Sequence, residues 1–407
     1  MPLVDTIIAN HSDRESVAPG ELVVTRVDRI YMHDGNTPTI ARLYKQHGFT
    51  KVFDPARVAA FFDHAVLAPD AKMTTLLREA ENFAAELGIK IYRAGSGISH
   101  VVALEEGWFT PGSLVCGSDS HTCTGGVMQC LALGMGASDV VGAMVSGKTW
   151  LRVPETVWIE VIGTPGRFTR AKDVVLYALA KFGQKPFLYA SVEWTGEWLE
   201  SLSLDAAATI SNMAVELGAK CVFLPPGPLR PSGLAPICLP EPGDERRLRL
   251  DVDGLPPFVA LPHSPANAVP LDECAGQEID YVFFGSCANA RLEDMCEFAE
   301  ILTRAPVHPR VHCVVTPGSQ SVYLAALRSG VVERITQAGG LLMPPGCGPC
   351  VGTQGTIPAS GDRVLSTMNR NFRGRMGNPD SKIWLASPLV AAYTAIMGRI
   401  PGTADLE

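Results

Sequence analysis

Long apolar segments are missing from this sequence of 407 residues. Nowhere do about eighteen apolar residues follow one another without a charge or a Pro or Gly cluster, so no membrane-spanning helix is predicted. The N-terminal stretch MPLVDTIIANHSDRES has no basic segment followed by an apolar one, so no secretion signal is predicted either. We therefore expect a soluble, cytoplasmic protein with no membrane partner.

Runs of lysine and arginine are missing as well, and the net charge is -8 with an isoelectric point near 5.6. Nucleic-acid binding needs a basic face that neutralises phosphates, so we expect no nucleic acid as a partner. Hydrophobic residues make up 46% and charged residues 19% of the chain, which indicates a globular protein and not a disordered one. This composition favours a small-molecule substrate.

The chain is too long for one hydrophobic core, and its length suggests roughly two to four domains. Strand and helix patterns alternate along it, which predicts an α/β fold. Residues 157–183 predict a strand, a Gly/Pro turn and a helix with Thr169 as its N-cap, and residues 127–148 predict a helix interrupted by glycines.

Two changes in composition divide the chain. The turn at residues 164–166 gives the first boundary, and a Pro-rich break that begins within residues 226–247 and ends near residue 273 gives the second. We predict three α/β domains, which comprise residues 1–164, 165–272 and 273–407.

Eleven cysteines are an odd and high number for a chain with no secretion signal, which disfavours a disulfide framework and favours metal or catalytic thiols. Cys221 and Cys313 lie in apolar runs typical of buried strands and are predicted to be core residues. Cys287, and the pair Cys347 and Cys350, lie in two loops that each follow an apolar strand. The C-x-x-C spacing alone leaves a metal site, a redox pair and a plain loop open. Three thiols fit a closed zinc site, which takes four ligands, less well than an iron–sulfur cluster with one open iron.

Titratable side chains form a second group, in the first third of the chain. Asp63 precedes His64, His100 lies in GSGISHVV, and Asp119 and His121 flank a serine in GSDSHT. A carboxylate that accepts a hydrogen bond from an imidazole fixes its tautomer and raises its basicity, as proton transfer near neutral pH requires. For each histidine alone, the alternative is a structural role.

Arginines form a third group, in STMNRNFRGRMG. The spacing of Arg370, Arg373 and Arg375 suits bidentate capture of carboxylates. A solvated charged turn is the alternative.

The motifs GSDSHTCTGG, GSCANAR, GCGPCVG and STMNRNFRGRMG, in this order, resemble the aconitase superfamily. Within it, the chain is similar to the stand-alone large subunits of the 3-isopropylmalate dehydratase type. The resemblance extends from HDGNTP at residues 33–38 to NPDSKIWLASPLVAAYTAIMG at residues 378–398. It implies three aconitase-like α/β domains around a central cluster site, without the mobile fourth (swivel) domain.

The resemblance also implies a cofactor and a reaction. Cys287, Cys347 and Cys350 would hold a [4Fe–4S] cluster in which one iron has no cysteine ligand and binds the hydroxyl and a carboxylate of a small hydroxy acid as a Lewis acid. The reaction would be the reversible loss and addition of water next to a carboxylate.

Roles for individual side chains follow from the resemblance at matching positions. Those implied in acid–base chemistry are Asp63, His64, His100, Asp119, His121 and Glu216. Those implied in substrate binding are Ser120, Asn212, Arg370 and Arg375, whereas Arg373 falls at a variable position. On sequence alone, residues 212–218 are also an ordinary helix end that closes at a glycine.

One catalytic part of the superfamily has no counterpart before the sequence ends at Glu407. In relatives the base is a serine beside an arginine on the swivel domain, so we expect this chain to be inactive alone and to need a small subunit that carries that domain. The chain departs from most relatives at Ala288 and Ala290 in the first cysteine loop, and at Ser118 and the glycine pair Gly125 and Gly126 in the Asp-Ser-His loop. These departures leave the substrate open. We favour 3-isopropylmalate or a related alkylmalate, with homocitrate or homoisocitrate, methyl- or dimethylmalate, and maleate or citraconate as alternatives. An RNA-binding regulator and a zinc-bound or cluster-free structural partner are the alternatives of other classes.

Overall fold

The computed structural model describes residues 2–227 and 246–407. Most of the Pro-rich break predicted within residues 226–247 lies outside these residues. The described strands form three large sheets and one two-stranded ribbon. No described helix has the length and apolar character that crossing a membrane would require.

The first sheet has five parallel strands in the order β4-β3-β2-β5-β6, and β1 and β7 pair as an antiparallel ribbon. Every residue of β3 and β5 is buried, as in parallel strands that are covered on both faces. The strands are β1 (Leu22–Arg26), β2 (Arg29–His33), β3 (Val58–Phe61), β4 (Lys90–Tyr92), β5 (Leu114–Gly117), β6 (Leu131–Gly134) and β7 (Lys148–Arg152). The helices are α1 (Leu3–His11), α2 (Thr37–Gln46), α3 (Ala71–Glu86), α4 (Ser99–Glu105) and α5 (Ala137–Ser146).

The interrupted helix predicted at residues 127–148 is wrong in part. A 3₁₀ helix over Ser120–Met128 leads into β6, and only α5 is α-helical in this stretch. The short apolar run at 131–134 completes the sheet by pairing with β5. Hydrophobic periodicity cannot distinguish such a short buried strand from a helix turn, which explains the error.

The second sheet has four parallel strands in the order β10-β9-β8-β11. The helix predicted after the turn at 164–166 is present, but its N-cap is Arg170, not Thr169. The hydroxyl of Thr169 donates instead to the carbonyl of Leu255, and the carboxylate of Asp173 accepts from the backbone N–H of Arg170 at 2.7 Å. The elements are β8 (Thr156–Ile162), β9 (Ser191–Thr195), β10 (Cys221–Phe223), β11 (Arg247–Asp251), α6 (Ala171–Phe182), α7 (Glu197–Glu200) and α8 (Leu204–Met213).

The third sheet has seven strands in the order β13-β12-β18-β17-β14-β15-β16, and the last five are parallel. β12 and β13, at residues 258–270, pair with this sheet although they precede residue 273. The predicted domain limits remain a prediction. The strands are β12 (Phe258–Ala260), β13 (Ala268–Pro270), β14 (Tyr281–Phe284), β15 (His312–Val315), β16 (Leu341–Leu342), β17 (Arg363–Ser366) and β18 (Lys382–Leu385). The helices are α9 (Leu292–Leu302), α10 (Gln320–Arg328), α11 (Val331–Gln337) and α12 (Pro388–Met397).

The carboxyl ends of the parallel strands present the loops that carry the sequence motifs. Asp63 follows β3, Asp119 follows β5 and Cys287 follows β14. The loops of the first and third sheets meet directly, because the backbone N–H of Cys347 donates to the carbonyl of Asp63 at 2.8 Å and that of Ile98 to Gly318 at 2.8 Å. Strand-end loops are a common place for binding and catalytic residues in α/β proteins.

Candidate active site

The three motif cysteines lie in two loops on the edge of the third sheet. Cys287, Cys347 and Cys350 are buried and carry free thiols. Gly346 allows the second loop to approach the first sheet, since its φ is 156° and an added Cβ would lie 2.6 Å from Cγ2 of Val66. The glycine before the first cysteine of the C-x-x-C pair is therefore a packing requirement.

Burial keeps the thiols of Cys287 and Cys347 protonated when no metal is bound. Burial, and then the neighbouring Cys350, raise the pKa of Cys287 to about 12. Burial, followed by the charges of Asp63 and the other two cysteines, raises the pKa of Cys347 well above its usual value. A redox-exchange pair needs a lowered thiol pKa, so this environment disfavours that alternative. A bound metal ion deprotonates its thiol ligands, so metal binding is compatible with this buried environment.

Two polar side chains point at the sulfurs. The amide of Asn369 donates to Sγ of Cys287 at 3.2 Å, and the guanidinium of Arg375 lies 3.5 Å from Sγ of Cys350. Such donors stabilise thiolate charge and tune a bound iron–sulfur group. Both donors come from the loop after β17, so this loop faces the cysteines.

The spacing of the sulfurs bears on which metal group fits. Two sets of at least three candidate ligands in the described residues have donor atoms within 4.8 Å of one another, and neither contains Cys347 or Cys350. One zinc ion binds thiolates at about 2.3 Å and would bring three sulfurs within about 4.6 Å of one another. The three cysteines therefore fit a polynuclear iron–sulfur group better than a single zinc ion.

One of these sets combines Cys287 with two histidines, His100 and His121. The nitrogens of His100 are bonded to Asp119 at 3.0 Å and to the hydroxyl of Tyr31 at 2.8 Å. His121 uses Nε2 for a carboxylate, at 3.0 Å. Because these nitrogens already have partners, the set favours proton transfer beside the cysteines and not a separate metal ion.

His64 is held by two carboxylates. Its Nδ1 lies 2.7 Å from Asp63 and 3.3 Å from Asp34. Asp34 also accepts the backbone N–H groups of His64 and Ala65, at 3.0 and 2.9 Å. The ring of His33 lies on that of His64, with 4.2 Å between centroids. The imidazole is therefore held at Nδ1 and on one ring face.

The ionisation of this pair follows from its surroundings. Burial disfavours the charge on His64, but Asp63 and Asp34 outweigh it and raise the pKa of His64 well above its usual value. Burial also opposes the charge on Asp63, but His64 and His33 lower the pKa of Asp63 to about 2. His33, by contrast, has its pKa lowered by burial and by the charge of His64. An imidazolium at His64 next to a neutral His33 is the state that results.

We predict a pH dependence of stability from His64. Its raised pKa contributes stability that is fully present below the unfolded value of about 6.5 and is lost as pH rises through the folded value. Asp63 contributes stability above its unfolded value of about 3.9 that is lost only as pH falls towards its lower folded value. The free energy of unfolding of the metal-free chain, measured with urea, should be lower at about pH 9 than at about pH 6. His64→Gln should reduce that difference, and an equal difference in both proteins would contradict the assignment.

Asp119 lies among four histidines at the centre of the site. One oxygen accepts from Nε2 of His100 at 3.0 Å and from the backbone N–H of His121 at 2.7 Å. The other oxygen lies 3.8 Å from Nε2 of His64 and 3.8 Å from Nε2 of His33. Burial opposes its charge, but His100 and His121 outweigh burial and hold the pKa of Asp119 well below its usual value. The group is a fixed carboxylate.

Glu216 links the second sheet to this centre. Its Oε1 accepts from Nε2 of His121 at 3.0 Å and from Nε of Arg370 at 2.7 Å. Asn212, one turn earlier, bonds Thr124 at 2.8 Å through its amide nitrogen and accepts from Asn369 at 3.0 Å. The helix end at residues 212–218 therefore serves the site besides closing a helix.

The structure brings together most of the residues predicted for the site. Ser120 lies at its edge, with an exposed side chain and Oγ 3.4 Å from Nδ1 of His121. Arg373 is exposed and bonds the carbonyl of Pro379 at 3.1 Å, so it belongs to the surface turn. Arg370 and Arg375 from the same loop turn inward.

Sequence reasoning missed several members of the site. His33 ends β2 and Asp34 follows it, in the HDGNTP stretch at residues 33–38, and neither residue was predicted to have a role in the site. Tyr31, Thr124 and Asn369 bond His100, Asn212 and Cys287. A strand that ends in a histidine and an aspartate next to a glycine was the available signal for the first two.

Comparison with known proteins agrees with this arrangement. The aconitase family (aconitate hydratase) matches residues 5–228 and 272–398. The chain belongs to the aconitase family. The predictions of the family, of its α/β fold and of a hydro-lyase are confirmed by this match and by the relatives below.

Two curated relatives show that the similarity covers almost the whole chain. The 3-isopropylmalate dehydratase large subunit 1 of Pyrococcus furiosus is 39% identical over 413 residues, covering 98% of this chain and 97% of the relative. The probable methanogen homoaconitase large subunit of Methanothermobacter thermautotrophicus is 39% identical over 418 residues, with 98% and 97% covered. Among solved structures, the crystal structure of Thermococcus kodakaraensis aconitase X (holo-form) has a TM-score of 0.55 at 14% identity, covering 86% of this chain and 84% of that one. This last similarity concerns the fold.

Proposed function

We propose that this chain is the large, cluster-binding subunit of a hydro-lyase that reversibly removes water from a malate-type hydroxy acid. The observation that carries the proposal is that acid–base side chains and cysteines meet in one place. His100, His121 and Cys287 have donor atoms within 4.8 Å of one another, and Cys347 bonds the backbone of Asp63. Dehydration requires acid–base groups of this kind close to a group that activates a hydroxyl.

The cysteines are the residues that would hold the cofactor. Cys287, Cys347 and Cys350 would ligate a [4Fe–4S] cluster and leave one iron without a cysteine ligand. When bound, that iron supplies Lewis-acid activation of a substrate hydroxyl. The buried free thiols and the donors Asn369 and Arg375 support this assignment.

The side chains of the chain itself would handle the proton and the carboxylates. His64 would hold a proton at Nε2, because Nδ1 is bonded to Asp63 and Asp34. His100 and Asp119 would form a second acid–base pair, with His121 and Glu216 beside it. Arg370 and Arg375 would bind substrate carboxylates, with contributions from Ser120 and Asn212. Arg370 already bonds a carboxylate in the chain, so its guanidinium is oriented in advance.

A small subunit is the proposed partner. Both relatives named above are described as large subunits, and the chain covers 97% of each of them. We propose that the small subunit carries a swivel domain with the serine base. The pair would act in the cytoplasm, and residues 1–164, 165–272 and 273–407 would form the three domains of the large subunit.

The substrate we favour is 3-isopropylmalate or a related alkylmalate. The Pyrococcus furiosus relative is named for 3-isopropylmalate, and the Methanothermobacter relative for homoaconitase. The two are equally identical to this chain, so homocitrate is the next substrate to test. Dimethylmalate, citraconate and maleate follow.

The test is a hydratase assay on the chain reconstituted with iron and sulfide without oxygen, alone and with the small subunit of a 3-isopropylmalate dehydratase. We expect the chain alone to show no turnover and the mixture to dehydrate one of these acids, measured by absorbance of the unsaturated product. Equal turnover without the small subunit would contradict the partner. No turnover of any of these acids by a mixture that contains an intact cluster would contradict the substrate class.

A further inference from the structure

Lys172 is a fully buried lysine next to the cysteine loops. Its side chain is 0% exposed, in the first turn of α6. Its ammonium donates to the carbonyls of Thr367 at 2.5 Å and Met368 at 2.6 Å, and to Oδ1 of Asn289 at 3.3 Å. Asn289 belongs to the loop that carries Cys287, and the two carbonyls belong to the loop after β17 that faces the cysteines.

This placement is unfavourable for folding alone. A buried ammonium normally pairs with a carboxylate, yet in the described residues no carboxylate oxygen lies within 4.0 Å of this nitrogen. A positive charge in the first turn of a helix is also disfavoured by the helix dipole. Burial lowers the pKa of Lys172 to about 7, although Asp173, Asp294 and the cysteines Cys287 and Cys350 act in the opposite direction. A residue kept at such a cost needs a role in the site.

Asn289 connects the lysine with the first cysteine loop. Its carbonyl oxygen accepts from Lys172, while its amide nitrogen donates to Asp294 at 3.0 Å and to Thr209 at 3.3 Å. The side chain is therefore bonded at both ends, by a cation on one side and a carboxylate on the other. Asn289 lies two residues after Cys287, so its orientation constrains the path of the ligand loop.

The other two bonds constrain the loop that carries the donors and arginines. Thr367 and Met368 directly precede Asn369, which donates to Sγ of Cys287, and Arg370, which bonds Glu216. One ammonium group thus bonds the loop of Cys287 and the loop that contacts its sulfur. The two loops come from different strands, β14 and β17, and the lysine comes from a helix of the second sheet.

We propose that Lys172 is a positioning residue for the iron–sulfur cluster, holding the Cys287 loop and the 367–370 loop in the relative arrangement that cluster binding requires. The inference rests on the proposed function, because it concerns the same cluster. The lysine touches neither the cysteines nor a substrate, and it acts through Asn289 and the two carbonyls.

Lys172→Met tests the proposal, because it keeps most of the length of the side chain and removes all three bonds. The matched control is Lys181→Met in the same helix, where the ammonium is exposed and donates to the carbonyl of Arg249 at 3.3 Å. The readout is the rate at which reconstituted chain loses iron to a chelator, followed by absorbance at a temperature where all proteins are folded. We expect Lys172→Met to lose iron at least about tenfold faster than the parent, as for other outer contacts of metal sites, and the control to match the parent.

A merely structural lysine would give a different result. It would lower the thermal midpoint of the metal-free chain and leave iron loss from the folded protein unchanged, and that outcome would overturn the proposal. Asn289→Ala provides a second variant in case Lys172→Met does not fold. It should lose iron faster than the parent as well. The rate of iron loss in the double variant should rise by less than the product of the two single effects, because both changes break the bond between Lys172 and Asn289. Two outcomes would overturn the connection through Asn289: single effects on the rate of iron loss that multiply in full in the double variant, or an Asn289→Ala protein that holds iron like the parent.

The parent protein separates this inference from the proposed function. A parent chain that takes up no iron and sulfide after anaerobic reconstitution would overturn both. A parent chain that loads a cluster, with a folded Lys172→Met protein that retains it equally well, would overturn the role of Lys172 alone.

Discussion

Cys347→Ser should remove almost all bound iron and sulfide from the reconstituted chain and lower turnover with the small subunit by more than about 100-fold. Thiolates are the ligands that iron–sulfur clusters prefer, and a serine oxygen is harder and far less acidic. Burial already opposes charge at this position, so a serine would stay protonated and would not replace the ligand. Iron and acid-labile sulfide per chain, measured after reconstitution without oxygen, are the quantities to compare. About four of each in the parent would match the proposed cluster.

Cys296→Ser is the matched control for this experiment. Cys296 is a free, half-buried cysteine in α9 that packs against the core of the third sheet, away from the two loops. The control should retain the iron and sulfide of the parent. A Cys347→Ser chain with the parent's content would show that Cys347 is no ligand, and the hydro-lyase proposal would lose its cofactor. Zinc without sulfide in the parent would favour the structural alternative.

Much of this site could be predicted because its chemistry is local in sequence. The pairs Asp63–His64 and Cys347–Cys350 are short motifs at the ends of apolar strands, and parallel strands bring such ends to one edge of a sheet. Cys287 is some sixty residues from the C-x-x-C pair, yet its loop also follows a strand of the same sheet. The sequence pattern therefore indicated which loops meet, although not how the side chains bond.

Other residues had a weak local signal or none. Asp34 follows a strand and precedes a glycine, but its role depends on the backbone N–H groups of His64 and Ala65, which lie in the loop after a neighbouring strand. Lys172 follows Ala171 in an amphipathic helix and resembles an ordinary surface lysine in sequence. Its burial depends on how α6 packs between two sheets, and long-range packing of this kind is invisible to periodicity.

The same limit explains the errors in local structure. The run LALG at residues 131–134 has no alternation and could belong to a helix or to a buried strand until its partner β5 is known. Threonine is a favoured N-cap residue, but the hydroxyl of Thr169 donates to the carbonyl of Leu255 instead. The carboxylate of Asp173, in the first turn of the helix, accepts from the backbone N–H of the N-cap residue Arg170. In both cases tertiary contacts overrode the local preference.

Asp119→Asn should lower kcat by about 10³-fold with a much smaller change in KM. The substitution preserves shape and removes the negative charge that faces His64, His100 and His121. An asparagine amide has an NH₂ donor in place of one carboxylate oxygen, so this donor would face an N–H group of one of the histidines and repel it. The carboxylate that fixes the tautomer of His100 would also be absent. The proton-transfer groups would then lose both their orientation and the negative charge beside them. Steady-state kinetics of the reconstituted enzyme with the small subunit measure the effect.

The fold should survive this substitution, which makes the kinetic result interpretable. Asp119 is the N-cap of the 3₁₀ helix over Ser120–Met128, and asparagine caps helices about as well as aspartate. Iron and sulfide content should equal that of the parent, because Asp119 bonds histidines and not cysteines. Asp139→Asn, in the first turn of α5 and outside the site, is the matched control and should keep the kcat of the parent. If Asp119→Asn retained kcat within about tenfold at full cluster content, the acid–base centre would have to lie at the Asp63–His64 pair alone.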